Sequence, residues 1–86
     1  MATYKILYWQ AIPSQVRAED EQDDVTVPMP ERFMAQIDQM AMQTGIAGSD
    51  AYLDQWHWSD EEERAGSAQE VAEAVAAELA EQWPRP

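Results

Sequence analysis

The sequence has no cysteine, few basic residues and no long apolar run. Without cysteine, its 86 residues cannot form disulfides, thiolate metal sites or thiol nucleophiles. Five Lys and Arg residues stand against 17 Asp and Glu, and the net charge of −12 repels nucleic-acid phosphates and anionic lipid. No apolar run approaches the ~18 residues of a membrane span, and the N-terminus lacks a signal-peptide pattern. We therefore expect a soluble cytoplasmic protein that binds neither nucleic acid nor membrane.

The first third of the chain predicts strands. Residues 3–10 are rich in aromatic and β-branched side chains and are apolar on both faces, which favours a central strand. Residues 12–14 interrupt it, and residues 15–19 alternate as an antiparallel return strand. An acidic loop at 19–24 follows, and residues 25–28 are a candidate third strand that ends at the proline.

A helical period runs from Pro30 to about Thr44, with Gly45 placed to end the helix. Met42 lies off the apolar stripe, among polar neighbours. The apolar stripe of this helix comprises Phe33, Met34, Ile37, Met40 and Ala41.

The second half of the chain predicts one more strand and one more helix. After a turn at 48–50, residues 51–58 alternate as a strand, and residues 60–63 form a second acidic loop. Ser67 and Glu70 have the spacing of a capping box, in which each side chain satisfies a backbone N–H of the other's residue. Pro84 ends the helix that follows. Its apolar stripe comprises Ala68, Val71, Ala72, Val75, Ala76, Leu79 and Trp83.

These elements follow the order β-β-(β)-α-β-α in a single domain over residues 1–86. The pattern predicts an α+β fold: a small open-faced sandwich with a three- to four-stranded sheet and two helices on one face. Two helices cover only one face of such a sheet, so the other face needs a separate explanation.

The aromatic residues allow two interpretations. Four tryptophans in a small chain are a normal way to fill its core. Alternatively, some of them lie on the uncovered sheet face and bind a partner. The candidate partner-binding residues are Leu7, Trp9, Met42, Trp56, His57 and Trp58.

The charged and titratable residues do not form a recognisable catalytic motif. His57 is the only histidine, and a small ligand-binding or catalytic domain using His57 with nearby carboxylates is the alternative to an interaction module. The two acidic runs hold nine of the 17 acids. They lack the spacing of an EF-hand and are interpreted as solvated loops, although such charge can also mimic nucleic acid. We predict no catalytic residues, cofactor or metal site.

Several segments are similar to a known family. Residues 2–9 with 12–16, residues 48–53 with Trp56 and Trp58, and residues 64–68 together resemble a small bacterial domain family called "virulence factor". The same segments resemble the C-terminal module of conserved virulence factor C proteins of Gram-positive bacteria.

The family name implies a phenotype and does not imply a chemistry. The family offers no active-site residues to carry over. Its stand-alone form is common in alphaproteobacteria near genes of folate- and corrinoid-dependent one-carbon metabolism. The resemblance therefore implies a small accessory subunit that docks onto a larger cytoplasmic protein. Independently of the resemblance, an exposed sheet edge or face can pair with a second copy of the chain, so self-association is a further expectation.

Overall fold

The protein is an open antiparallel sheet with helices packed against it. The computed structural model describes residues 1–82. Within this range the strands are β1 (Ala2–Trp9), β2 (Ile12–Glu19), β3 (Asp24–Pro28), β4 (Trp56–Trp58) and β5 (Glu62–Arg64). The helices are α1 (Glu31–Gln43), α2 (Asp50–Asp54) and α3 (Ala68–Gln82). The predicted α+β class is thereby confirmed.

Strand β1 is the centre of the sheet. It pairs with β2 on one side, and β3 pairs with the outer side of β2. On its other side β1 pairs with two short strands in succession, first β5 and then β4. The sheet order is therefore β3-β2-β1-β4, with β5 on the same edge of β1 as β4.

One hydrophobic core lies between the sheet and the helices. Helix α3 packs across β1, β2 and β3, while α1 packs on β2. The guanidinium of Arg32 donates to the carbonyl of Ala80 at 2.7 Å, which joins the start of α1 to the end of α3. Each large side chain buried in such a core contributes about 1.5–3 kcal/mol. The largest fully buried side chains are Trp9, Ile12, Val16, Phe33, Ile37 and Val71.

The helix-end signals in the sequence are confirmed. Ser67 N–H donates to Glu70 Oε1 at 3.1 Å, and Glu70 N–H donates to Ser67 Oγ at 3.2 Å, as a capping box requires. At the end of α1, Gly45 has a φ of 74° and its N–H donates to Met42 O. The N–H of Ile46 donates to Ala41 O, and this pair of bonds is a Schellman motif.

The predicted break at residues 12–14 is wrong, because β2 already begins at Ile12. Pro13 pairs with Tyr8, and the register between β1 and β2 then shifts, which leaves Ser14 without a partner residue in β1. Such a bulge tolerates a proline and increases the local twist of the strands.

The predicted strand at residues 51–58 is only partly correct. Asp50–Asp54 form the short helix α2, and only Trp56–Trp58 are a strand. Ser49 stands at the N-cap position and Asp50 in the first turn, where a negative charge favours the helix. The predicted second acidic loop is also partly a strand, β5, since charged residues are well tolerated on a sheet edge.

The predicted helix stripes are close to those observed. In α3 the predicted residues from Ala68 to Ala76 are buried and Leu79 is half-buried; Trp83 and Pro84 lie outside the described residues. In α1, Met34 departs from the prediction because it is 39% exposed. None of the helices in residues 1–82 has the length and apolar character needed to cross a bilayer.

Candidate interaction surface

Strand alternation defines a sheet face directed away from the core residue Ile6, and at its Trp9 and Trp56 end Tyr52 of α2 packs on it. Side chains on a strand alternate between faces, so Lys5 and Leu7 point away from the core residue Ile6. Cross-strand partners share a face, and this places Arg17 and Trp58 beside them. We call this surface the open face. It comprises Thr3, Lys5, Leu7, Gln15, Arg17, Glu19, Asp24, Thr26, Pro28, Trp58 and Glu63, all half-buried or exposed.

An apolar pair lies at one end of the open face. Leu7 in β1 is the register partner of Trp58 in β4, and Trp58 is 40% exposed. The Nζ of Lys5 lies 4.7 Å from the centroid of the Trp58 ring, a cation–π contact that holds the indole against the sheet. The indole is therefore positioned and still accessible to another molecule.

The two acidic runs meet at the other end of the open face. Thr3 pairs with Glu19 on one side and with Glu63 on the other, so carboxylates flank β1 from both neighbouring strands. Thr3 is four residues from Leu7, which corresponds to about 13 Å along a strand. The open face thus has an apolar end and an acidic end, an arrangement that depends on strand pairing and was not predicted from the sequence.

Two basic residues lie between these ends. Lys5 and Arg17 are register partners in the middle of the open face. Arg17 Nε donates to Asp24 Oδ1 at 3.0 Å, and this ion pair lowers the pKa of Asp24. The ion pair neutralises Arg17 and Asp24 together, so the negative character of the acidic end rests on Glu19 and Glu63.

Two of the six predicted partner-binding residues lie in or against the core. Trp9 has no exposed surface; its Nε1 donates to the carbonyl of Tyr52 at 3.0 Å. Trp56 is half-buried, and its ring meets the edge of the Tyr52 ring at 6.1 Å between centroids. Trp9 therefore has a core role, in agreement with the first of the two interpretations of the tryptophans, in which they fill the core.

Met42 and His57 lie away from the apolar pair. Met42, at the end of α1, is 73% exposed. His57 is exposed on the sheet face opposite Trp58, where its ring stacks on Tyr8 at 5.7 Å. The six predicted residues therefore separate into groups. Leu7 and Trp58 are register partners on the open face, Trp9 and Trp56 are register partners that pack on Tyr52, and Met42 and His57 lie apart from both pairs.

Within residues 1–82, the ring of His57 contacts a backbone carbonyl and the ring of Tyr8. Its Nδ1 lies 3.2 Å from Gln55 O, and no carboxylate among residues 1–82 forms an ion pair with it. Two clefts of about 320 Å³ lie elsewhere, one beside Asp20 and the other beside Tyr52, and His57 lines neither. Across the same residues, no group of three or more His, Asp or Glu side chains is arranged to hold a metal ion.

The fold and this surface define a small α+β domain with an open, two-ended sheet face. The chain belongs to the virulence factor family, because the model of that family matches residues 7–86. The predicted resemblance is therefore confirmed. Comparison with curated proteins gave no significant match. Comparison with solved structures gave none either.

Proposed function

We propose that this protein is a non-catalytic interaction module that docks through its open face onto a larger cytoplasmic protein. The observation that carries the proposal is the adjacency of the half-buried Leu7 and the 40% exposed Trp58 on the open face. An indole fixed by Lys5 loses little conformational freedom when a partner covers it, which favours its use as an anchor.

The energetics favour the apolar end as the source of affinity. Desolvating a tryptophan in a partner pocket contributes about 2 kcal/mol or more to binding, whereas a solvated surface ion pair contributes about 0–1 kcal/mol. The acidic end, with Glu19 and Glu63 around Thr3, then orients the partner and raises the association rate. A matching partner has an apolar pocket and, about 13 Å from it, a cluster of Lys or Arg.

The family resemblance supplies the first partners to test. It implies an accessory subunit of a folate- or corrinoid-dependent one-carbon enzyme. The described surface supports docking in general, and the identity of the partner is the part of the proposal that rests on the resemblance alone.

The test is purification of the native protein from lysate under gentle conditions, followed by measurement of the affinity of the recovered complex. Trp58→Ala should weaken that complex by about 30-fold or more, corresponding to ~2 kcal/mol. Met34→Ala is the matched control, since Met34 is 39% exposed but lies on α1, away from the open face. Salt at about 0.5 M should weaken binding only modestly, because it screens the charge interactions of the acidic end and leaves the apolar contact unchanged.

Other outcomes separate the alternatives. Elution of the protein alone contradicts the accessory-subunit proposal. A complex that salt dissociates completely, and that tolerates Trp58→Ala, contradicts the open face as anchor and favours charge mimicry. Sedimentation as a dimer that Trp58→Ala converts to a monomer would identify a second copy of the chain as the partner.

A further inference from the structure

A second surface, separate from the open face, forms where α1 meets α2. A cleft of about 320 Å³ lies between the end of α1, the following turn and α2. It is lined mainly by apolar groups, and we call it the α1–α2 cleft. Its lining residues are Asp38, Ala41, Met42, Ala47, Gly48 and Tyr52.

The walls of the α1–α2 cleft are held in place from behind. The Schellman motif fixes the turn after α1, with Ile46 N–H donating to Ala41 O. On the opposite wall, the Tyr52 carbonyl accepts from Trp9 Nε1 and its ring lies 5.5 Å from the Trp9 ring. The cleft is thus built on the buried core and is formed before any partner arrives.

The cleft is adaptable at Met42, which lines it and is 73% exposed. A methionine side chain has three rotatable bonds and a polarisable sulfur, so it adjusts to the shape of an inserted group. The volume lies at the lower end of the range for ligand pockets and accommodates a large apolar side chain.

The charge around the cleft selects the occupant. Asp38 is the charged residue among those that line the cleft. Residues 33–56 contain no Lys, Arg or His, so its carboxylate has no basic neighbour in its own segment. Opposite charges across an interface favour the matching partner and reject an acidic one.

We infer that the α1–α2 cleft binds a basic peptide segment of a partner protein, which inserts a large apolar side chain next to Tyr52 and places Lys or Arg at Asp38. This binding site is independent of the open face, because none of its lining residues belongs to that face. A module with both surfaces contacts its partner, or two partners, at two separate points.

The experiment is an NMR titration of the ¹⁵N-labelled full chain with two short capped peptides. One peptide consists of leucine and lysine. The other has serine in place of each leucine, so that both peptides carry the same charge. The leucine peptide should bind at least about tenfold more tightly than the serine peptide, since burial of one leucine side chain in the cleft strengthens binding by about that factor. Amide shifts should concentrate at residues 38–42 and 47–53.

Matched variants separate the cleft from the general charge of the protein. Asp38→Lys and Asp23→Lys change the net charge equally, but Asp23 lies in the β2–β3 turn, away from the cleft. Asp38→Lys should weaken binding of the leucine peptide about fivefold more than Asp23→Lys does. Met42→Ala should weaken it about threefold, while Met34→Ala and Trp58→Ala should leave it unchanged.

The opposite results would overturn the inference. If both peptides bind alike, or if the two charge reversals have equal effects, the interaction is diffuse attraction to an acidic protein. Shifts spread over residues 19–24 and 60–63 would lead to the same conclusion. Circular dichroism of each variant checks that its fold is retained.

Discussion

The indole of Trp9 and the backbone of Tyr52 join the end of the sheet to α2. Trp9 Nε1 donates to Tyr52 O at 3.0 Å, and the two rings lie 5.5 Å apart at an interplanar angle of 39°. The Trp9 side chain has no exposed surface. One residue of β1 therefore satisfies a helix carbonyl, fills the core and supports the wall of the α1–α2 cleft.

Replacement of Trp9 should cost far more stability than replacement of Trp58. Trp9→Ala leaves a large cavity and removes one of two hydrogen bonds that the Tyr52 carbonyl accepts, the other coming from Gln55 N–H, and we expect a loss of about 3–5 kcal/mol. Trp58→Ala, at a 40% exposed position, should cost about 1 kcal/mol or less. Urea unfolding followed by circular dichroism measures both. Equal losses would show that Trp58 also belongs to the core, and would weaken its assignment as an anchor.

Asp20 connects the β2–β3 turn to the start of α3, and its removal should destabilise both. Its Oδ1 accepts from the N–H groups of Gln22 and Asp23, and its Oδ2 accepts from Ala68 N–H at 2.8 Å. Asp20→Ala should lower the urea midpoint and speed hydrogen exchange at the Ala68 amide. Asp23→Ala removes the same charge and is the control. If the two variants unfold alike, Asp20 acts only through its charge.

The same hydrogen bonds predict an acid-sensitive contribution to stability. The three backbone N–H groups lower the pKa of Asp20, and the N–H and hydroxyl of Ser67 lower the pKa of Glu70. Because the folded-state pKa lies below the unfolded value, this stabilisation is present at neutral pH and lost as pH falls through the folded pKa.

The measurement is the free energy of unfolding of the wild type and Asp20→Asn from neutral pH down to about pH 3. The wild type should be more stable at neutral pH, and the difference should shrink below about pH 4, the ordinary range of an aspartate. A difference independent of pH would assign the effect to the shape of the side chain, and not to its charge.

Local signals in the sequence were sufficient to predict part of the fold. The capping box at Ser67 and Glu70, the helix end at Gly45 and the buried stripe of α3 each depend on residues within a few positions of one another. Their hydrogen bonds form inside one segment, so the sequence pattern is enough to locate them.

Features that depend on distant contacts were not predictable in the same way. Alternation made residues 51–58 resemble a strand, but packing of Tyr52 on Trp9, 43 residues away, favours a helix there. The pairing of Thr3 with both Glu19 and Glu63 creates the acidic end of the open face, and no local pattern shows it. The apolar character of Leu7 and Trp58 was visible in the sequence, whereas their adjacency required the register of β1 and β4.

The turn between β1 and β2 offers a stabilising substitution. Gln10 has a φ of 54°, in the left-handed region that costs a side-chain-bearing residue about 1–2 kcal/mol. In a two-residue hairpin turn with only the first residue at positive φ, glycine is preferred at that position. Gln10→Gly keeps the backbone N–H that donates to Gln55 O at 3.1 Å, so no hydrogen bond is lost.

We therefore expect Gln10→Gly to raise the free energy of unfolding by about 0.5–1 kcal/mol, after the extra flexibility of glycine in the unfolded chain is subtracted. Ala11→Gly is the matched control, since Ala11 does not have a positive φ and should lose stability through that flexibility alone. Urea unfolding of the two variants beside the wild type gives opposite signs if backbone strain at Gln10 is the cause. A loss of stability in both would show that the side chain of Gln10 contributes more than its backbone conformation costs.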